Sequence, residues 1–130
     1  MLVRMGIKNF ALIEHMQLEF AKGITIFTGE TGSGKSILMD AFSILLGERA
    51  SSEFIRHEKD SFLIEGVFDI AGDTALQDLL LKKNILLEDD TLILSRTFNR
   101  NGKSQILAND QVIPLKALRE IGTYLADIHG

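Results

Sequence analysis

A chain of 130 residues, 45% apolar and 25% charged, suits one compact domain and leaves little room for a second. The formal charge of −4 gives no bulk attraction for nucleic acid, so any contact with DNA is expected to be local or to lie elsewhere. With no cysteine, a disulfide framework and a thiolate metal site are both excluded, which fits a reducing compartment.

In chain order, residues 2–9 and 12–20 read as two strands. In "EHMQLEF", Met16, Leu18 and Phe20 share one face, with His15, Gln17 and Glu19 opposite. "AKG" is a turn and "ITIF" (24–27) a short apolar strand of the buried kind. From Lys35 the period changes. Ile37, Leu38, Ala41, Ile44 and Leu45 fall at helical spacing, and Gly47 is the expected stop. Residues 47–60 are polar and follow neither period, which predicts a mobile surface loop. "SFLIEGVFDI" (61–70) reads as a strand, and Asp73 or Thr74 suits the cap of a helix over 75–83. "TLILSRTF" (91–98) and "KSQILA" (103–108) flank the turn signal "NRNG". "ND" at 109–110 makes a second turn, and Pro114 suits the first turn of a last helix, 114–124. This order predicts an α/β domain with considerable antiparallel sheet, not a regular βαβ array. No apolar run approaches the roughly 20 residues that span a bilayer. "MLVRMGIKNF" lacks the pattern of a signal peptide, so a cytoplasmic location is expected.

The stretch "GETGSGKS" carries the chemistry. It fits G-x-x-x-x-G-K-[ST] at every fixed position, with Gly29, Gly34, Lys35 and Ser36 in place. Gly29, Gly32 and Gly34 free the backbone to turn N–H groups inward, so that Gly29, Glu30, Thr31, Gly32, Ser33 and Gly34 form a cradle for phosphate. The helix that follows adds its unpaired N-terminal donors and the positive end of its dipole. Lys35 then reaches the β- and γ-phosphates, and Ser36 holds Mg²⁺. A plain glycine turn with a solvated lysine is the bland alternative. The apolar strand before and the amphipathic helix after the motif favour the cradle.

With its flanks, the sequence resembles the RecN family of bacterial DNA-repair ATPases, in the SMC-like branch of the ABC ATPases. The matching stretches are "IKNFALIEHMQLEF" (7–20), "GITIFTGETGSGKSILMDAFSILLGERAS" (23–51), "IR" (55–56), "LILSRTFNRNGKSQILAND" (92–110) and "LADIHG" (125–130). The resemblance implies a P-loop NTPase fold, residues 1–130 being the N-terminal lobe of an ABC/SMC-like ATPase head with mixed and antiparallel sheet. It further implies Mg²⁺ and ATP as cofactors and a second head as homodimer partner. DNA follows as a partner of the full-length protein, with a role in recombinational double-strand-break repair, a cytoplasmic, nucleoid-associated setting and no membrane. In the family, "DIHG" leads into a glutamine that senses the γ-phosphate, and here the sequence ends at Gly130. No LSGG-type signature, no apolar run ending in Asp-Glu and no heptad repeat is found in these residues. No catalytic residue is therefore assigned, and residues 1–130 alone are expected to be inactive. Two alternatives are another SMC-like or ABC head, including a transporter-like subunit, and a non-catalytic binding or dimerisation module.

Five further groups are candidates. Arg56, inside "FIRHE", balances nucleotide or DNA contact against simple solvation, and is retained with the nucleotide-binding residues. Solvation is the expectation for Arg49. Lys8 and Asn9, ending the first strand, are secondary nucleotide contacts. Asp127 and His129, two ligands short of a metal site, read as a strand end. The basic tip "NRNGKS" (99–104) reads as solvated more readily than as a DNA contact.

Overall fold

The computed structural model describes residues 1–20 and 33–129. Six strands form one sheet: β1 (Leu2–Phe10), β2 (Ile13–Glu19), β3 (Ser61–Asp69), β4 (Thr91–Asn99), β5 (Ser104–Ala108) and β6 (Gln111–Val112). Their spatial order is β2-β1-β3-β4-β5-β6, with every described pairing antiparallel. The expected strand 24–27 lies outside the described residues, and with it any mixed part of the sheet.

Alternation decides which face is covered. Met5 and Ile7 of β1, Phe62, Ile64 and Phe68 of β3, and Leu92 and Leu94 of β4 point to the same side and are buried. Three helices cover that side: α1 (Ser33–Leu45), α2 (Thr74–Lys82) and α3 (Leu115–His129). They contribute Ala41, Ile44 and Leu45, Leu76 and Leu80, and Leu118, Ile121 and Leu125 to one core. The result is a two-layer α/β arrangement.

The helix ends follow local chemistry. Asp73 is the N-cap of α2, its carboxylate accepting from the Leu76 N–H at 3.1 Å. Gly47, at φ +117°, ends the turn after α1 as expected. Pro114 stands just ahead of α3, its carbonyl accepting from the Leu118 N–H. That helix runs to His129, so residues 125–129 are helical and not the strand end the sequence suggests. Its inward stripe of Ala117, Leu118, Ile121 and Leu125 carries the helical period into "LADIH".

The 47–60 segment is a loop without α-helix or named strand, as expected, and part of it is docked on the sheet. A short 3-10 turn, Ser52–Phe54, is capped by Ser51, and the next residues dock on the β1–β2 corner. The Ala11 N–H donates to the Phe54 carbonyl at 2.6 Å, and the Arg56 N–H donates to the Asn9 carbonyl at 2.9 Å. Ile55 is buried and bridges to Phe10. Two apolar residues inside a polar run are enough to anchor it.

The hairpin turn at Asn109–Asp110 has φ of 47° and 67°, the two left-handed residues that a tight turn between β5 and β6 needs. Its Asn109 side chain is occupied on both ends. Nδ2 donates to the Leu86 and Thr91 carbonyls at 2.7 and 3.1 Å, and Oδ1 accepts from the Ile93 N–H at 2.7 Å.

Candidate nucleotide-binding site

The amino end of α1 begins inside the glycine-rich motif, at Ser33. Gly29, Glu30, Thr31 and Gly32 lie outside the described residues, as do the side chains of Ser33 and Lys35. The backbone of Ser33, Gly34, Lys35 and Ser36 forms the first turn of the helix. No acidic residue sits in that turn, so the positive end of the helix dipole is not neutralised from within the helix. The Ser36 side chain is exposed, as is Asp40 one turn later. A hydroxyl oxygen at this position is a hard donor of the kind Mg²⁺ accepts, which fits the metal role expected for Ser36. Among the described residues, no group of three or more His, Cys, Asp or Glu side chains is placed to hold a metal.

Arg56 is half-buried at the β1–β2 corner, where Nη1 donates to the Leu12 carbonyl at 2.7 Å. It is thus neither a freely solvated loop charge nor wholly committed, since a guanidinium carries five donors. The structure brings it beside Asn9, whose carbonyl takes the Arg56 N–H and whose φ is 55°. Lys8 is exposed on β1. The tip "NRNGKS" is less free than its composition suggests. Arg100 donates through Nε and Nη2 to the Lys59 carbonyl at 3.1 and 2.7 Å. Asp127 and His129 fall in α3, with their side chains outside the described residues.

The other end of α1 holds what sequence reasoning missed. Arg96 of β4 is 3% exposed and reaches the carboxyl end of the helix. Its Nη1 donates to the Ile44 and Glu48 carbonyls at 2.6 and 2.5 Å, while Nε is buried without a partner. Burial pushes the guanidinium below arginine's ordinary value, and the nearby Arg119 cation adds to that shift. Arg119 of α3 in turn donates from Nε to the Gly47 carbonyl at 3.1 Å. The signal was in the alternation: Arg96 shares the inward parity of Leu92 and Leu94. A groove of about 660 Å³ runs between α1 and α3, lined in part by Phe42, Leu46, Arg49, Arg119 and Ala126. It follows the carboxyl half of α1 and its continuation to Arg49, so Arg49 stands with Arg119.

Residues 4–124 match the family described as AAA domain. The chain belongs to the AAA domain family. Within that family, it is 40% identical to "DNA repair protein RecN" of Bacillus subtilis (strain 168) over 130 residues. The match covers 100% of the chain and 23% of that protein. A second RecN, from Halalkalibacterium halodurans, is 42% identical with the same coverage. These relatives bear out the resemblance carried by the motifs. The chain therefore spans 23% of the length of the curated relatives it matches. Among solved structures, an Smc head domain with an extended coiled coil from Pyrococcus furiosus superposes with a TM-score of 0.73. Its identity is 20%, over 95% of this chain and 32% of that one. A structure from work on ATP-driven dimerization and DNA-stimulated activation of SMC ATPases gives a TM-score of 0.71. There the identity is 20%, over 96% of this chain and 79% of that one. The fold is that of the N-terminal lobe of an SMC-type ATPase head, a P-loop NTPase lobe.

Proposed function

We propose that this chain is the ATP-binding N-terminal segment of a RecN-type DNA repair protein acting in recombinational double-strand-break repair. Mg²⁺–ATP held at Gly29–Ser36 drives engagement with a second head, and DNA is a partner of the full-length protein. One observation carries the reading. A complete G-x-x-x-x-G-K-[ST] motif runs into the amino end of a 13-residue helix whose first turn carries no acidic residue, in a chain 40% identical along its whole length to a RecN.

Each residue has a part that its chemistry supports. The backbone N–H groups from Gly29 to Gly34 receive phosphate oxygens, and Lys35 supplies a cation to the outer phosphates. Ser36 offers its hydroxyl to Mg²⁺, which when bound neutralises phosphate charge. Arg56, already held at one nitrogen by Leu12, keeps donors for the nucleotide. No helix among the described residues is long and apolar enough to cross a membrane; the proposed setting is cytoplasmic and nucleoid-associated.

The deciding measurement is a structure determined with Mg²⁺ and ATP. Phosphates lying against Gly32–Ser36, with Lys35 in contact, are expected. Phosphates bound elsewhere on the chain would overturn the reading.

A further inference from the structure

Arg96 is expensive for the fold to keep. It is buried on the core side of β4, its Nε has no acceptor, and among the described residues no carboxylate forms an ion pair with it. Burying a charge without a counter-charge costs desolvation, and the two carbonyls that accept from Nη1 offset only part of that cost while Nε stays without an acceptor.

What it does locally is specific. The last turn of α1 carries no basic residue of its own, and its closing turn supplies backbone donors, the Glu48 N–H to the Ser43 carbonyl and the Gly47 N–H to the Ile44 carbonyl. Arg96 reaches from the sheet to supply both a cation and N–H groups, to Ile44 inside the helix and to Glu48 just past it. Two further contacts converge on the same turn. Arg119 holds the Gly47 carbonyl. Gly122 of α3 lies so close that a Cβ there would sit 2.0 Å from the Leu46 carbonyl oxygen. The carboxyl end of α1 is thus fixed from both β4 and α3, while its amino end carries the glycine-rich motif.

We propose that Arg96 is a positioning residue for nucleotide binding. By fixing the carboxyl end of α1 it sets the direction in which Ser33–Ser36 present their N–H groups to phosphate. The proposal rests on the reading of Gly29–Ser36 as the phosphate site. A 13-residue helix is about 20 Å long, so a tilt of about 5° at one end moves the other by about 1.7 Å. Displacements of about 1 Å at a binding constellation are large enough to cost most of its geometric advantage.

The test uses Arg96→Met and Arg96→Lys in the full-length protein, with Mg²⁺–ATP affinity and nucleotide-free thermal stability measured on the same samples. Arg96→Met loses two hydrogen bonds to backbone carbonyls and is expected to lower the Tm by about 5 °C while remaining folded. Its Kd for Mg²⁺–ATP is expected to rise roughly tenfold, the equivalent of about 1.4 kcal/mol. Arg96→Lys, which keeps the cation and loses the fork, is expected to recover part of the affinity. A folded Arg96→Met that binds as the parent does would overturn the proposal. So would an affinity loss that merely tracks the unfolded fraction. If Arg96→Met does not fold, Arg96→Lys decides: a raised Kd supports the proposal and a parental Kd overturns it. Failure of the unsubstituted protein to bind Mg²⁺–ATP would instead remove the phosphate-site reading, and this proposal with it.

Discussion

The ring of Phe54 lies flat on that of Phe10, with centroids 5.0 Å apart and planes 8° from parallel. Phe10 meets Phe62 edge to face at 5.0 Å, and Phe62 stacks on Phe98 at 5.8 Å. Four rings thus join the segment after α1 to β1, β3 and β4. Phe54→Ala is expected to lose about 2 kcal/mol, below the range for a fully buried Phe because Phe54 is half-buried. Denaturant unfolding would show it as a lower midpoint with an unchanged slope. Amide exchange at Ala11 and Arg56, whose N–H groups bridge the corner, is expected to be slow in the parent and fast in the variant. Fast exchange at both positions in the parent would show that the docking does not persist in solution.

Asn109 ties three chain segments with one side chain. Asn109→Ala removes its three hydrogen bonds and leaves an alanine at φ 47°. A loss of about 2–3 kcal/mol is expected from the unpaired groups and the left-handed backbone. Asn109→Gly relieves the backbone cost and is expected to be the less damaging of the two. Equal losses in equilibrium unfolding would mean that the side-chain bonds alone matter.

Lys35→Ala in the full-length protein is expected to lower ATP turnover by about 100-fold or more while leaving the fold intact. Circular dichroism and thermal melting check the fold, and a phosphate-release assay checks turnover. Parental turnover in the folded variant would contradict the role assigned to Lys35.

Residues 1–130 alone are expected to bind ATP weakly and to turn it over negligibly. The phosphate cradle is one wall of a site, and attack on the γ-phosphate also needs a positioned water and donors that meet the developing charge. The resemblance places those groups in other parts of the protein and in a second head. Turnover by this chain at the rate of the full-length protein, lost on Lys35→Ala, would mean that a complete site exists within it.

Much of this fold was legible because its signals are local. Alternation placed β1 to β5 to within a residue or two, and Asp73, Gly47 and Asn109–Asp110 punctuated the chain where their chemistry suggested. The helix after the glycine-rich motif was legible from the same kind of pattern, and the motif itself from its spacing. What was hidden depends on contacts between distant residues. Nothing near Phe54 and Ile55 announces that the Asn9–Leu12 corner will receive them. Arg96 faces the core by parity, but its partners are carbonyls at the end of a helix some 50 residues earlier. In the last turns of α3 the resemblance suggests a strand end, whereas Leu125 continues the apolar stripe of Leu118 and Ile121 and the helix runs on to His129.

The order of strands has a consequence for how this protein acquires its structure. β3, β4, β5 and β6 follow one another in sequence and in space, so each pairs with its immediate neighbour as a meander. β1 is different. It pairs with β2 on one side and with β3, which begins at Ser61, on the other. The pairing of Leu2 with Phe68 spans all the sequence between β2 and β3, and such distant contacts set the pace of folding. Closure entropy grows only slowly with loop length, by about 0.6 kcal/mol for each doubling. The stretch that carries the glycine-rich motif therefore lies, in sequence, between two antiparallel partners of one strand. Lengthening or shortening it at a point that leaves α1 seated alters the time needed to complete the sheet far more than the free energy of the sheet once complete.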